Sequence, residues 1–395
     1  LDDNTEGNSN VAVGQHSLGK NTTGDQNVAV GRSALDANTT ADNNIGIGYW
    51  SLLTNTTGAS NVSIGTESLK LNTTGADNVA IGYQAMVDNT TGSQNVAVGE
   101  YALDDNTTGS SNVSIGQHSL GKNTTGNENT AIGRFALGDS TTAGNNVAVG
   151  YAALDANTTG GSNTAVGSNA LTDNTTGIGH VAIGTNALAD NTTGSWNIGV
   201  GYDALRVNTT GASNYAIGSY TLDANTTGNN NIGVGEAALS ANSTGGNNIA
   251  IGKVALEANT TASNNVAVGY NCMNDNTTGA ANTALGSYSL QVNTTASDNT
   301  ALGYHTLGAN TTGASNVAVG KDALDANTTG TENTAVGTSA LTANTTASYN
   351  DAFGANSLKS NTTGDSNCSI GYNTLFYNTT GDDNIALGRN ALHVN

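Results

Sequence analysis

Apolar residues return along this chain at a spacing that is neither 3.6 nor strictly 2. Each block V-A-V-G or a close variant is followed four residues after its glycine by leucine, and the whole pattern recurs with a period of seventeen. With each Asn-Thr-Thr-Gly placed at positions 1 to 4, units start at Asn4, Asn21, Asn38 and onward to Asn378. Twenty-three such units run from Asn4 to Val394 without one insertion or deletion. The consensus is N-T-T-G-x-x-N-V-A-V-G-x-x-A-L-x-x. Good helix formers are sparse and β-branched residues sit beside Gly and Asn, so helical repeats do not fit.

The pattern predicts an all-β fold, a parallel β-solenoid (β-roll) of 23 coils with seventeen residues in each coil. Each coil is expected to hold two brief strands and two turns, and residues 1–395 to form one continuous solenoid. At about 4.8 Å per coil the rod would be roughly 110 Å long. Leu1, Asp2 and Asp3 fit positions 15 to 17 of a preceding unit and Asn395 fits position 1 of a following one. No polar capping unit is visible. The expectation is a piece of a longer repetitive protein, cut inside the repeat at both ends.

Variation among the copies assigns the positions. Position 11 is Gly in every copy (Gly14, Gly31, Gly48, Gly65 and on), which asks for a positive φ or a backbone too close for a Cβ. Position 4 is Gly in 18 copies and Ala in five, so it asks for smallness. Position 15 is Leu in 21 copies (Leu18, Leu35, Leu52, Leu69 and on) and Met at Met86 and Met273. It is the expected core ladder, each buried Leu contributing about 1.5–3 kcal/mol.

Position 10, Val, Ile or Leu except at Phe353, is read as buried too. Position 8 is placed near the edge of the same buried face. Position 9, always Ala, Gly or Ser, points the other way. Either the solenoid is very flat there, or a second chain packs along that face; the second chain is preferred. Asn at position 1 (Asn21, Asn38, Asn55) and position 7 (Asn27, Asn44, Asn61) is expected to stack in ladders that satisfy turn backbone groups.

Composition narrows the function. With 10 Lys and Arg against 30 Asp and Glu, the chain carries −20, which excludes nucleic acid as a partner and disfavours an anionic membrane surface. No apolar run reaches transmembrane length, and membrane insertion is not expected. Two cysteines, Cys272 and Cys368, make no disulfide framework.

The block N-V-A-V-G-x-x-A-L, as at residues 27–35 or 316–324, resembles the head repeats of trimeric autotransporter adhesins, the YadA-like heads. That resemblance implies a left-handed parallel β-roll, trimerised side by side, on a bacterial surface. The family's repeat is shorter, and the N-T-T-G turn is additional here.

Candidate chemistry is thin. His16, His118 and His305 share position 13 but stand at least six coils apart, so they cannot share a metal; no cofactor is expected beyond loosely bound calcium on surface Asp. No catalytic constellation recurs in register, nothing suggests a pocket, and no enzymatic activity is expected. Twenty-one units carry the sequon N-x-T, read chiefly as turn and ladder chemistry. The Thr-Thr pairs raise ice binding as a minor alternative, although only one Thr file per coil would face outward. The leading expectation is an extracellular or cell-surface structural fibre. It would self-associate as a side-by-side trimer or an end-to-end filament. The alternative is an adhesin head or phage-fibre module that binds surface glycans or proteins.

Overall fold

A computed structural model describes residues 3–394. The flanking residues Leu1, Asp2 and Asn395, which enter the expectation about cut repeats, lie outside the described residues. The chain is an all-β parallel β-solenoid in which one coil takes one repeat. It falls into two compact units, Leu1–Trp196 and Asn197–Asn395. Among the described residues the first holds eleven strands, from β1 (Val11–Val13) to β11 (Val181–Ile183). The second, again among the described residues, holds twelve, from β12 (Ile198–Val200) to β23 (Ile385–Leu387).

Every strand is three residues long and occupies positions 8 to 10. Within each unit it pairs in parallel with the same positions of the adjacent repeats, as Val11, Ala12 and Val13 do with Val28, Ala29 and Val30. Among the described residues the expected second strand is absent; bends and turns take its place. Those turns stack nonetheless. The Leu35 N–H donates to the Ser51 carbonyl at 3.0 Å and the Thr22 N–H to the Thr39 carbonyl at 2.9 Å, so the ladder extends well beyond the strands.

The second strand is lost because three positions per coil turn left-handed, without glycine except at Gly179. Positions 6, 13 and 15 have φ near +50 to +60, as at Gln26 (57°), Ser33 (56°) and Leu35 (53°). Each costs about 1–2 kcal/mol for a non-Gly residue. The backbone ladders and the burial of the leucine hold the residues there. Gly14 has φ 132°, a region open only to glycine, and a Cβ on it would stand 2.6 Å from the Gly31 carbonyl oxygen.

The core overturns the expected sidedness of the strand. Position 15 is fully buried, as expected, in every coil but the last, where Leu392 is exposed. Position 9 is buried too, with Ala29, Ala80, Ala97 and Ala148 at 0% exposure, whereas position 10 faces out: Ile47 is 37% exposed, Ile217 47% and Leu285 49%. Position 8 is half-buried to exposed. Position 9 is therefore no interface with a second chain. It is small because the interior is flat: a Cβ on Gly46 would already lie 3.2 Å from Cγ of Leu35. Parity gives the reason. Positions 7 and 9 share a face, and the position-7 Asn side chains, buried and hydrogen-bonded inside, pull position 9 in with them. Where position 9 is Ser, position 14 answers with Ser: Ser63 meets Ser51 at 2.7 Å and Ser68 at 2.8 Å, so no buried hydroxyl in this trio is left unpaired.

Candidate functional site

Positions 1, 4, 7, 9, 14 and 15 fill the interior, so any site must be built from the remainder. The Asn residues singled out from sequence are interior ladder elements. Asn38 donates from Nδ2 to Asn21 Oδ1 at 2.8 Å and to the Ala41 carbonyl at 3.0 Å. Asn55 continues this ladder to Asn38 at 3.2 Å. Asn27 donates to the Ala41 carbonyl at 2.8 Å, while its Oδ1 accepts the Asn44 backbone N–H at 2.9 Å; Asn44 does the same for Asn61. These side chains are buried, which leaves the sequon Asn no free amide in the folded chain.

The Thr pairs divide as expected. Thr22 donates its hydroxyl to the Thr39 carbonyl at 3.0 Å, and Thr23 is exposed, so one Thr per coil faces out. That single file does not form the two-file array that ice binding would favour.

Beside the exposed turn at positions 5 and 6, two outward surfaces carry apolar or aromatic files. The first is the strand face, with one file of Val, Ile or Thr at position 8 and one of Val, Ile or Leu at position 10. Among the residues of these two files only Asp351 carries charge. The sequence did hold a signal for this sidedness. Position 8 accepts Tyr215, Asp351 and Cys368, a tolerance that belongs to solvent rather than to a core.

The second surface is the flank formed by positions 12, 13, 16 and 17. Aromatic rings gather there in short rows. Tyr101 and His118 stack at 5.0 Å, His118 and Phe135 at 5.6 Å, with Tyr83 and Tyr151 edge-on at the two ends. Tyr270, Tyr288, Tyr304 and His305 form another row in the second unit.

Beside the first row lies a cleft of about 510 Å³, which the sequence did not suggest. It opens where position 16 is Gly in two successive coils, Gly121 and Gly138, between Asp104 and Asp155 at the same position of the flanking coils. Burial pushes the Asp104 carboxyl up to about 6, a backbone N–H of its own opposing and Asp105 and Asp88 adding to the rise. Burial, then Asp139, raises Asp155 as well. Lys122 is bound to Asp139 at 2.6 Å on the rim.

Cys272 is buried, its thiol pushed up to about 12 by that burial, and Cys368 is half-buried on the strand face. Among the described residues no group of three or more His, Cys, Asp or Glu side chains is placed to hold a metal ion. Also among the described residues, no helix is long and apolar enough to cross a membrane. No protein-family model matches the chain, and no curated protein matches it.

Proposed function

We propose that this chain is a structural fibre module that associates with copies of itself through the strand face. The observation that carries this reading is the pair of outward apolar files at positions 8 and 10. In either unit the files extend over about 50 Å and cover on the order of 500 Å², at the upper end of the contiguous apolar patches that monomers expose. Each patch is more than half of the roughly 800 Å² per partner that a standard interface buries. A second copy is the occupant that fits. It brings an equally flat surface of mainly β-branched residues whose one charge is Asp351, while the other acidic residues that give the chain its −20 sit on the flanks and turns.

In this reading the chain has no catalytic role, and it acts outside the cell in attachment or spacing. Side-by-side packing agrees with the resemblance to trimeric adhesin heads, but through positions 8 and 10. Light scattering after size exclusion is the test. A trimer would weigh about 118 kDa (3 × 39.3 kDa), and open polymers would favour a filament. A 39.3 kDa monomer at all concentrations would remove the self-association reading.

The aromatic rows favour a second reading, a recognition module for surface glycans or proteins. It predicts glycan-array binding that is lost when Tyr83, Tyr101 and Tyr151 are replaced by Ala.

A further inference from the structure

Two other coils show what the cleft lacks. His305 and Gly308 recur as His-x-x-Gly, and one repeat after the glycine comes Asp325. The Asp325 carboxylate lies over Gly308, 2.7 Å from where a Cβ would stand, and pairs with His305 Nδ1 at 2.7 Å. His16, Gly19 and Asp36 repeat the sequence, with the Asp36 Oδ1 2.5 Å from the Cβ point of Gly19. In the third instance, His118 and Gly121, the residue one repeat on is Gly138. The aspartate is missing, and the space it would fill is the cleft.

Two carboxylates lean into that space from opposite ends. The Asp104 Oδ1 stands 3.1 Å from the Cβ point of Gly121, is sealed from bulk water and has no hydrogen-bond partner. The Asp155 carboxylate covers the Cβ point of Gly138. With coils about 4.8 Å apart, the two carboxylates are no more than roughly 10 Å from each other. Asp105 and Asp139 add charge to the lining and Lys122 offsets one of them, so the cleft is strongly negative. The stacked rings of His118 and Phe135 supply an apolar wall between its ends.

We propose that this cleft binds an aliphatic diamine in its doubly protonated form, one ammonium group at Asp104 and the other at Asp155. A four-carbon diamine has nitrogens about 6 Å apart by ordinary bond lengths, so with the hydrogen bond at each end bent off the axis of the chain it fits two carboxylates no more than roughly 10 Å apart. Its methylenes lie along the His118 and Phe135 rings. A charge-assisted donor reaching the Asp104 carboxylate by a small rotation gives the shielded Oδ1 a partner, beside the residue's own backbone N–H that already bonds the carboxyl. No metal is called for, because the two carboxylates are divided between the ends of the cleft.

The test is isothermal titration of the full chain with 1,4-diaminobutane at physiological ionic strength, with n-butylamine as the single-charge probe. One saturable site is expected, about tenfold weaker for butylamine and at least about tenfold weaker in Asp104→Asn and Gly121→Leu. Position 16 carries Leu53 in another coil, so Gly121→Leu fills the cleft with a residue the repeat already accepts, and thermal melting checks that both variants are folded. Asp325→Asn, whose aspartate is already paired, should leave binding unchanged. Absence of a saturable site, equal binding of butylamine, undiminished binding by folded Gly121→Leu, or a matching loss in Asp325→Asn would each overturn the proposal, the last by reducing it to diffuse counterion attraction.

Discussion

Asn38 donates to Asn21 across one coil at 2.8 Å, and the same amide reaches the Ala41 carbonyl at 3.0 Å, closing its own turn and tying it to the previous one. The relationship recurs along position 1 and is broken at Ser140, whose buried Oγ has no hydrogen-bond partner. On the far side of the break Asn157 keeps its bond to the Gly160 carbonyl, at 2.9 Å. Ser140→Asn should restore the ladder to Asn123 and Asn157 and stabilise the chain by about 1–2 kcal/mol, given about 1 kcal/mol for a net hydrogen bond. Denaturant melts of the two proteins check it; a midpoint that does not rise would mean the coil has relaxed around the serine hydroxyl.

The strand should respond in opposite ways at adjacent residues. Ala97→Leu forces a large side chain into a flat interior and is expected to destabilise by about 1–3 kcal/mol or more. Val98→Lys, on the outward side, should leave the melting temperature of the monomer nearly unchanged. Equal destabilisation by both would contradict the assigned sidedness.

Self-association should fail when the face is charged. Val98→Lys combined with Ile115→Lys and Ile132→Lys should shift the solution mass toward 39.3 kDa without loss of far-ultraviolet β signal. An unchanged assembly would move the interface to another surface.

Gly116 has φ 137°, and a Cβ there would lie 2.6 Å from the carbonyl carbon of Gly133. Gly116→Ala should cost at least about 2 kcal/mol, combining a strained dihedral with a backbone clash. Ala at position 4 is the control: a Cβ on Gly109 would also crowd backbone, at the Gly126 carbonyl oxygen, but no left-handed φ is required there and Ala143 and Ala262 already occupy this position, so Gly109→Ala should be milder, as calorimetry of the pair would show.

Asp104 gives a pH dependence with a defined sign. Its folded carboxyl titrates near 6, above the unfolded value of 3.8, so the native state binds more protons between those limits and stability falls as pH rises through them. Asp104→Asn should therefore melt higher than the parent at pH 7, with the gap closing as pH drops from about 6 toward 3.8. A gap that does not depend on pH would mean the carboxyl is ordinary. Asp105 and Asp88, which push it in the same direction, remain in both proteins.

The repeat by itself determined the solenoid. Every copy must occupy the same place in a stack, and a period of seventeen with invariant Gly and near-invariant Leu and Asn leaves one coil per unit, as Gly14, Leu18 and Asn21 illustrate. Those residues hold the coil together because identical neighbours meet identical neighbours, an arrangement that sequence alone makes visible. The sidedness of the strand was also written there, in the tolerance of position 8 for Asp351 and the intolerance of positions 7 and 9, but apolar character at position 10 pointed the other way. Only the folded coil decided between them. The buried amides of Asn27 and its equivalents outrank the burial of Val30, because a buried turn N–H left unpaired, such as that of Asn44, costs more than a valine left half outside. The cleft was likewise decided in three dimensions. Gly121 and Gly138 lie a full repeat apart in the chain, and only stacking brings their two missing side chains together between Asp104 and Asp155.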